Sequence, residues 1–242
     1  MRSLTKSLLQ PNLVILCGLA AFNLSAALII VEPSENSYKD IQEALIIAES
    51  GDVVRLTGGT FAIEDGLSLD VPGVKIEGEG MDASILEFSN QKSGAQGLLV
   101  TSDNVTLQDF AVVNAKGDAI KSKGADNISF IRVKTEWTGG PKTTNGAYGL
   151  YPVESENILI DDCVAIGASD AGIYVGQSKN IVVKNSFVKH NVAGIEIENS
   201  FYADVFDNLA EENTGGILVF DLPDLPQQGG HHVRVFNNKV VN

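Results

Sequence analysis

The sequence predicts an all-β chain wound as a single-stranded parallel β-helix and closed at its start by a short helix. Three markers carry that reading. A small residue followed by an aliphatic one recurs as Gly97-Leu98, Ala119-Ile120, Gly149-Leu150, Gly172-Ile173, Gly194-Ile195 and Gly216-Ile217, at spacings of 22, 30, 23, 22 and 22 residues. A second segment tracks the first with inward-type triplets, Leu107/Phe110/Val112, Phe130/Val133/Thr135, Ile160/Cys163/Ala165, Val183/Ser186/Val188, Val205/Asn208/Ala210 and Val235/Asn238/Val240. Asn precedes that segment at Asn104, Asn127, Asn157 and Asn180. Independent markers that share one period are the signature of a repeat architecture. A leucine-rich horseshoe has a similar period. These repeats, however, are rich in Val, Ile, Asn and Gly, alternate with period two and lack helical spacing. Strands stacked ~4.8 Å apart then pair with their copies in neighbouring coils and bury apolar side chains in one central column.

The elements follow in order. Residues 1–27 read as a secretory signal: Arg2 and Lys6 lead an apolar run, Leu13–Phe22, too short to span a bilayer, and Ser25-Ala26-Ala27 supplies the small residues a signal peptidase needs. Residues 28–51 are expected to hold an N-terminal strand and a capping helix. Ile41, Ala44, Leu45 and Ala48 form its apolar face, Asp40 or Ser37 caps its start and Gly51 ends it. Such a helix covers the unpaired backbone of the first coil. Residues 52–242 form the β-helix, beginning with strands at Asp52–Leu56, Leu67–Val71, Val74–Glu77 and Ser84–Phe88. The two long intervals mark Gly/Pro-rich loops within Glu136–Tyr148 and Phe220–His232 that bulge from the coil and wall a groove beside the Gly-Ile strands. Val240-Val241-Asn242 stops in mid-coil, which reads as a fragment of a longer protein.

Composition narrows the partners. The 242 residues include 24 Gly, 18 Asn and only 7 Pro, a balance unlike collagen, coiled coil or a disordered tail. With 17 basic and 31 acidic residues the formal charge is −14, which argues against nucleic acid and anionic lipid. Without Arg2 and Lys6 the mature chain stands near −16, no membrane partner is expected after cleavage, and Cys163 has no internal cysteine to pair with.

The segments Ile41-Gln42-Glu43-Ala44, Gly51-Asp52-Val53-Val54 and Gly59-Thr60-Phe61 resemble the start of pectate-lyase-like right-handed β-helices, and the Asn/Gly-Ile repeats are similar to the NosD-type family. The stretches Ala147–Ser155, Ser169–Ile181, Ala193–Ser200 and Thr214–Pro226 resemble an exported bacterial family of parallel β-helix repeat proteins. The resemblance covers nearly the whole mature chain. It implies a right-handed coil and an exported protein, at the periplasm, cell surface or exterior of a bacterium. For chemistry it supplies an analogy only.

The outward residue after each inward aliphatic forms a column: Leu99, Lys121, Tyr151, Tyr174, Glu196 and Leu218. Sugar rings pack on aromatic faces while their hydroxyls bond nearby polar atoms. Lys121, Tyr151, Tyr174 and Glu196 are therefore the expected ligand-binding residues, with a polysaccharide as partner. Glu196 is the one acid of this column, so the calcium-holding cluster of pectate lyases is expected to be absent, as is the His tract of alginate epimerases. Asp161 and Asp162, adjacent on a strand, point to opposite faces.

Lys121, Tyr151 and Glu196 are the candidate catalytic residues for a lyase or epimerase alternative, with Lys121 lowering the Tyr151 pKa. No cofactor and no metal are expected. Were an ion held, His231, His232 and Asp221, with Asp224 in the same loop, would be the ligands. That version belongs to a third reading, an accessory scaffold for an exported protein partner, which the NosD-type resemblance implies. Asn191 and Asn213 read as turn formers bonded to local backbone, His190 as solvated and Cys163 as a small core residue.

Overall fold

A computed structural model describes residues 26–241, in which one helix, Ser37–Ile47, and 22 strands are found, with every strand pairing parallel. The segment read from the sequence as a signal lies outside the described residues except for Ala26 and Ala27. From Tyr148 onward each coil has three strands. The first such coil runs Tyr148–Val153, Glu156–Asp161 and Val164–Ile166; the next runs Ala171–Gly176, Lys179–Lys184 and Phe187–Lys189. The first strand of each coil joins a seven-stranded sheet, while the other two join a larger sheet of fifteen strands. Register follows the repeat: Ile173 pairs with Ile195, Ile195 with Ile217, and Ile160 with Val183.

The inward triplets span a corner, not one straight strand. Asp109, Arg132, Asp162, Asn185, Asp207 and Asn237 all take positive φ, between 49° and 60°, one in each coil. That left-handed residue consumes one step of the alternation. This is why Ile160 and Cys163, three apart, both point inward, and why Asn and Asp, which tolerate that conformation, recur there.

Polar ladders hold the corners. Ser186 Oγ accepts from Cys163 N at 3.2 Å, Asn208 Oδ1 accepts from Ser186 N at 2.9 Å, and Asn238 Oδ1 accepts from Asn208 N at 3.0 Å. Asn191 and Asn213 form a second buried ladder. Asn191 Oδ1 accepts from Ala168 N at 2.8 Å and its Nδ2 donates to Asn213 Oδ1 at 2.9 Å. The Asn191 side chain therefore binds the coils beneath and above it and not its own turn, while Asn213 binds the coil beneath and Glu211 O of its own turn, because an inward corner offers no water to satisfy them. The asparagines ahead of the second strand make a third, exposed ladder, with Nδ2 to Oδ1 contacts of 3.1, 2.9 and 3.1 Å from Asn127 to Asn104, Asn157 to Asn127 and Asn180 to Asn157.

The core runs up the axis from Phe61, Phe88, Phe110 and Phe130 to Ile160, Val183 and Val205, all essentially unexposed. The helix seals the lower end through Ile41, Ala44, Leu45 and Ala48. Its caps differ from expectation. Asn36 occupies the N-cap without a side-chain bond, and Ser34 and Ser37 instead exchange bonds, Ser34 N to Ser37 Oγ at 2.9 Å and Ser37 Oγ to Ser34 O at 2.7 Å. The C-cap is Ala48, not Gly51. Gly59–Ala62 is a further strand, pairing with Ser84–Glu87, where the Gly58-Gly59 pair had masked extended backbone. In the uppermost described coil Val235 and Val240 are 45% and 50% exposed, since no coil lies on them.

Candidate functional site

The seven-stranded sheet carries the expected column in register. Leu99 pairs with Lys121, Lys121 with Tyr151, Tyr174 with Glu196 and Glu196 with Leu218. Tyr151 and Tyr174 meet edge to face at 4.9 Å between ring centroids. A third ring completes the group: Tyr148 lies 4.5 Å from Tyr151 and 4.8 Å from Tyr174. Strict alternation from the inward Leu150 would have turned Tyr148 inward. The alternation breaks at the Gly-aliphatic pair, so Tyr148 and Tyr151, three apart, share the outer face. The same break places Ala171 beside Tyr174, and its small side chain leaves room for the Tyr148 ring.

Tyr174 departs from the expected open platform. It is 5% exposed, and its ring lies along its own strand over Gly176. A Cβ on Gly176 would stand 2.3 Å from the Tyr174 hydroxyl oxygen and 2.5 Å from Cε1, so only glycine admits this ring position. Gly176 pairs with Glu198 of the next coil, which brings the Tyr174 hydroxyl to the Glu198 carboxylate. Tyr148 and Tyr151 stay half-buried and form the accessible part of the cluster.

The expectation of a single acid fails. Asp118, Asp170, Glu196 and Glu198 all border the rings. Burial is the first cause of the raised Asp118 pKa, opposed by the Lys121 charge, the Tyr148 backbone N–H and the Gln96 side chain. Burial, then the charges of Asp170 and Glu198, lifts the Glu196 carboxyl to about 7. Glu198 is raised by burial against the opposing Tyr174 hydroxyl, with Asp170 adding to the rise. Period-two spacing from Glu196 was the available signal for Glu198. Asp170 precedes its strand, and Asp118 occupies the column opened by the same break that exposes Tyr148, so neither stood in the column read from the sequence.

Lys121 does not acidify Tyr151. Its ammonium sits 4.2 Å from the ring centroid, over the face and away from the hydroxyl. Burial foremost, then the charges of Asp118, Glu198 and Glu154, pushes Tyr151 up. Burial likewise raises Tyr148 and Tyr174, with Asp170 and Glu198 as their next causes. A phenol held in its neutral form is a hydrogen-bond donor, so the lowered Tyr151 pKa that the lyase alternative called for is not what this geometry favours.

The histidines also change place. His231 and His232 open the strand His231–Phe236 and do not belong to an irregular loop. His231 stacks on Phe201 at 4.3 Å and 6°, His232 tilts against Tyr202 at 5.1 Å, and their Nδ1 atoms lie 2.7 Å apart. Among the described residues no group of three or more His, Cys, Asp or Glu is arranged to hold a metal ion. His190 bonds Glu212 of the next coil at 2.7 Å. Cys163 is buried in the core, where burial pushes its thiol up to about 12.

The two insertions stand at opposite ends of the site strands. Residues 137–147 precede Tyr148 and are pinned by Trp137, whose Nε1 donates to Ala115 O at 2.7 Å, and by Asn145 Nδ2 to Gly167 O at 2.6 Å. They wall a recess shared with Ser169, His190 and Glu212. Residues 221–230 follow Phe220 and are held by Asn199 and Gln227, with Gln227 Nε2 donating to Asn199 O at 2.6 Å. A recess between this loop and Glu154, Gln177 and Lys179 lies on that side. Neither recess reaches the tyrosines.

The family model described as a right-handed β-helix region matches residues 72–226. The chain belongs to this family. Among solved structures, this right-handed β-helix is similar to the N-terminal fragment of gene product 12 of bacteriophage phi29, at 16% identity and a TM-score of 0.62 over 84% of this chain and 40% of that one. It is also similar to the pre-mature form of that phage protein, at 18% identity and 0.63, covering 84% and 30%. A third likeness is to DFA-IIIase from Arthrobacter chlorophenolicus A6 without its lid in complex with GF2, at 11% identity and 0.61, covering 89% and 72%. The chain spans less than half the length of the phage structures, and at these identities the likeness establishes the fold alone. No curated protein matches the chain.

Proposed function

We propose that this β-helix is an exported protein that binds a polysaccharide at the cluster of Tyr148, Tyr151 and Glu196. One observation carries the reading: three tyrosines from two successive coils converge within 4.9 Å beside carboxyl groups that lie on the same face. Tyrosine edges and hydroxyls with adjacent carboxyls supply the mixture of apolar contact and hydrogen bonding that a pyranose presents. Lys121 braces the underside of Tyr151, and Tyr174 acts from beneath as a support. The positively charged, apolar start of the chain supports export, and sequencing the amino terminus of the secreted protein checks it. A glycan array comparing wild type with Tyr148→Ala and Tyr151→Ala tests the site. Retention of every bound glycan by both variants would remove it.

A further inference from the structure

The acids of the tyrosine face contrast with a set of paired acids on the larger sheet. On the larger sheet, several outward carboxylates are matched by cations from neighbouring coils, although Glu87 and Glu156 there have no such partner among the described residues. Arg132 pairs with Asp109 at 2.6 Å, Lys184 with Asp161 at 3.2 Å and Lys189 with Glu211 at 3.3 Å. Arg234 pairs with Asp204 at 2.5 Å, and Arg55 pairs with Glu77. Coils ~4.8 Å apart bring stacked like charges close, and such pairing relieves their repulsion. The tyrosine face is different. Asp118, Asp170, Glu196 and Glu198 take part in no ion pair among the described residues. The one cation beside them, Lys121, serves Asp118 and the Tyr151 ring at the lower end. Among the described residues the upper end has three carboxyls and no ammonium or guanidinium beside them.

Glu196 is the focus of that imbalance. It is 8% exposed, pairs in register with Tyr174 below and Leu218 above, and has no hydrogen-bond partner among the described residues. The stem of the side chain is buried while its carboxyl oxygens still reach solvent, so a donor supplied from outside can approach them. The groups facing it are Tyr148, Tyr174, Asp170 and Glu198. All are neutral or acidic, and two are aromatic. That environment attracts a cation through both carboxylate charge and ring quadrupole. The donor set is not one for a metal ion, since no cluster of three metal-type ligands occurs among the described residues. An ammonium, with three donors and a modest radius, fits better.

Resting on the reading of this face as a glycan site, we propose that its ligand is a cationic amino sugar whose ammonium is received by Glu196, with Glu198 and Asp170 around it and the Tyr148 and Tyr151 edges against the sugar ring. A uronate polymer is disfavoured by the same carboxyls and by the formal charge of −14.

The test is isothermal titration at about pH 7, where the Glu196 carboxyl is substantially ionised, with three oligosaccharides of equal length: β-1,4-linked glucosamine, its fully N-acetylated counterpart, and galacturonate. Wild type, Glu196→Gln, Tyr151→Ala and, as a control on the other face, Glu211→Gln are compared after circular dichroism shows each to be folded. The expected result is at least about tenfold tighter binding of the glucosamine oligomer than of the acetylated one. That preference falls below about twofold in Glu196→Gln and persists in Glu211→Gln. Should Glu196→Gln fail to fold, Glu198→Gln is read in its place, with the same fall in preference expected.

A preference that survives substitution of the site carboxyl would be general attraction to an acidic protein, and it overturns the proposal. Equal binding of the glucosamine oligomer and its acetylated counterpart, or preference for galacturonate, overturns it as well. In either case loss of binding in Tyr151→Ala leaves the glycan face standing. If none of the three oligosaccharides binds wild type, the amino-sugar assignment and the glycan reading for these polymers fall together.

Discussion

Replacing Glu196 by glutamine tests the electrostatics of the tyrosine face while preserving its shape. Burial, with Asp170 and Glu198 nearby, raises this carboxyl from 4.5 to about 7. A carboxyl with a higher pKa in the folded state holds its proton more tightly there. Its contribution to stability is therefore fully present below pH 4.5 and is lost as pH rises through 7. At about 1.4 kcal/mol per unit the shift sets a ceiling of about 3 kcal/mol. The carboxyl end is less enclosed than the stem of the side chain, so solvent screens it, and halving the ceiling gives about 1.5 kcal/mol. Glu196→Gln should match wild type near pH 4.5 and exceed its stability by about that amount at pH 8, where the native carboxyl is ionised. Urea unfolding followed by Trp137 fluorescence across this range measures the difference. Parallel pH curves for the two proteins would refute the reasoning. So would a less stable variant at pH 8, because it would mean that the folded protein stabilises the carboxylate.

Three further outcomes follow from named contacts. Asn213→Ala removes the acceptor of Asn191 N and Nδ2, both at 2.9 Å, and the donor to Val188 O at 2.9 Å. It should cost about 3 kcal/mol in urea unfolding, whereas Asn180→Ala on the exposed ladder should cost under about 1 kcal/mol; equal losses would contradict the distinction between the ladders. Gly176→Ala must displace the Tyr174 ring, at a cost of about 1–3 kcal/mol and with a changed near-ultraviolet dichroism; an unchanged spectrum would show that the ring lies elsewhere. Native Cys163, buried and with its thiol pushed up to about 12, should resist an aromatic disulfide reagent until the protein unfolds, and a fast native reaction would contradict its placement.

The period of the sequence was enough to read the stack, the inward triplets and the Lys121–Tyr151–Tyr174–Glu196 column, because register in a coil repeats every time the chain returns to the same face. Corners were less visible. One left-handed residue, such as Asp162 between Ile160 and Cys163, both turns the chain and resets the alternation, yet the sequence shows only an Asp that also suits solvent. The same problem hid Tyr148 and the column of Asp118. The orientation of Tyr174 depended on Gly176, whose lack of a side chain reads in sequence as a turn signal and serves here as floor for a ring. His231 and His232 were misplaced because the Gly229-Gly230 pair before them resembles loop, while the strand beneath them, Phe201–Phe206, dictates extended backbone.

In a repeat fold the period records what every coil needs, and the departures from it record what one coil is for. The inward ladders of Ser, Asn and aliphatic residues satisfy each coil in the same way, and the paired charges of the larger sheet do the same outside. None of that requires Tyr148, Tyr151, Asp170, Tyr174, Glu196 and Glu198 to crowd onto three adjacent coils, nor one insertion to precede the first of their strands and the other to follow the strand stacked on the last. Unpaired carboxyls beside buried phenols weaken the fold, and one substitution by an aliphatic residue such as Leu218 or Leu99, which occupy the same column in other coils, would relieve it. Stability therefore does not explain the cluster, and the proposed ligand, whose charge and hydrogen bonds would complete it, offers a reason for it.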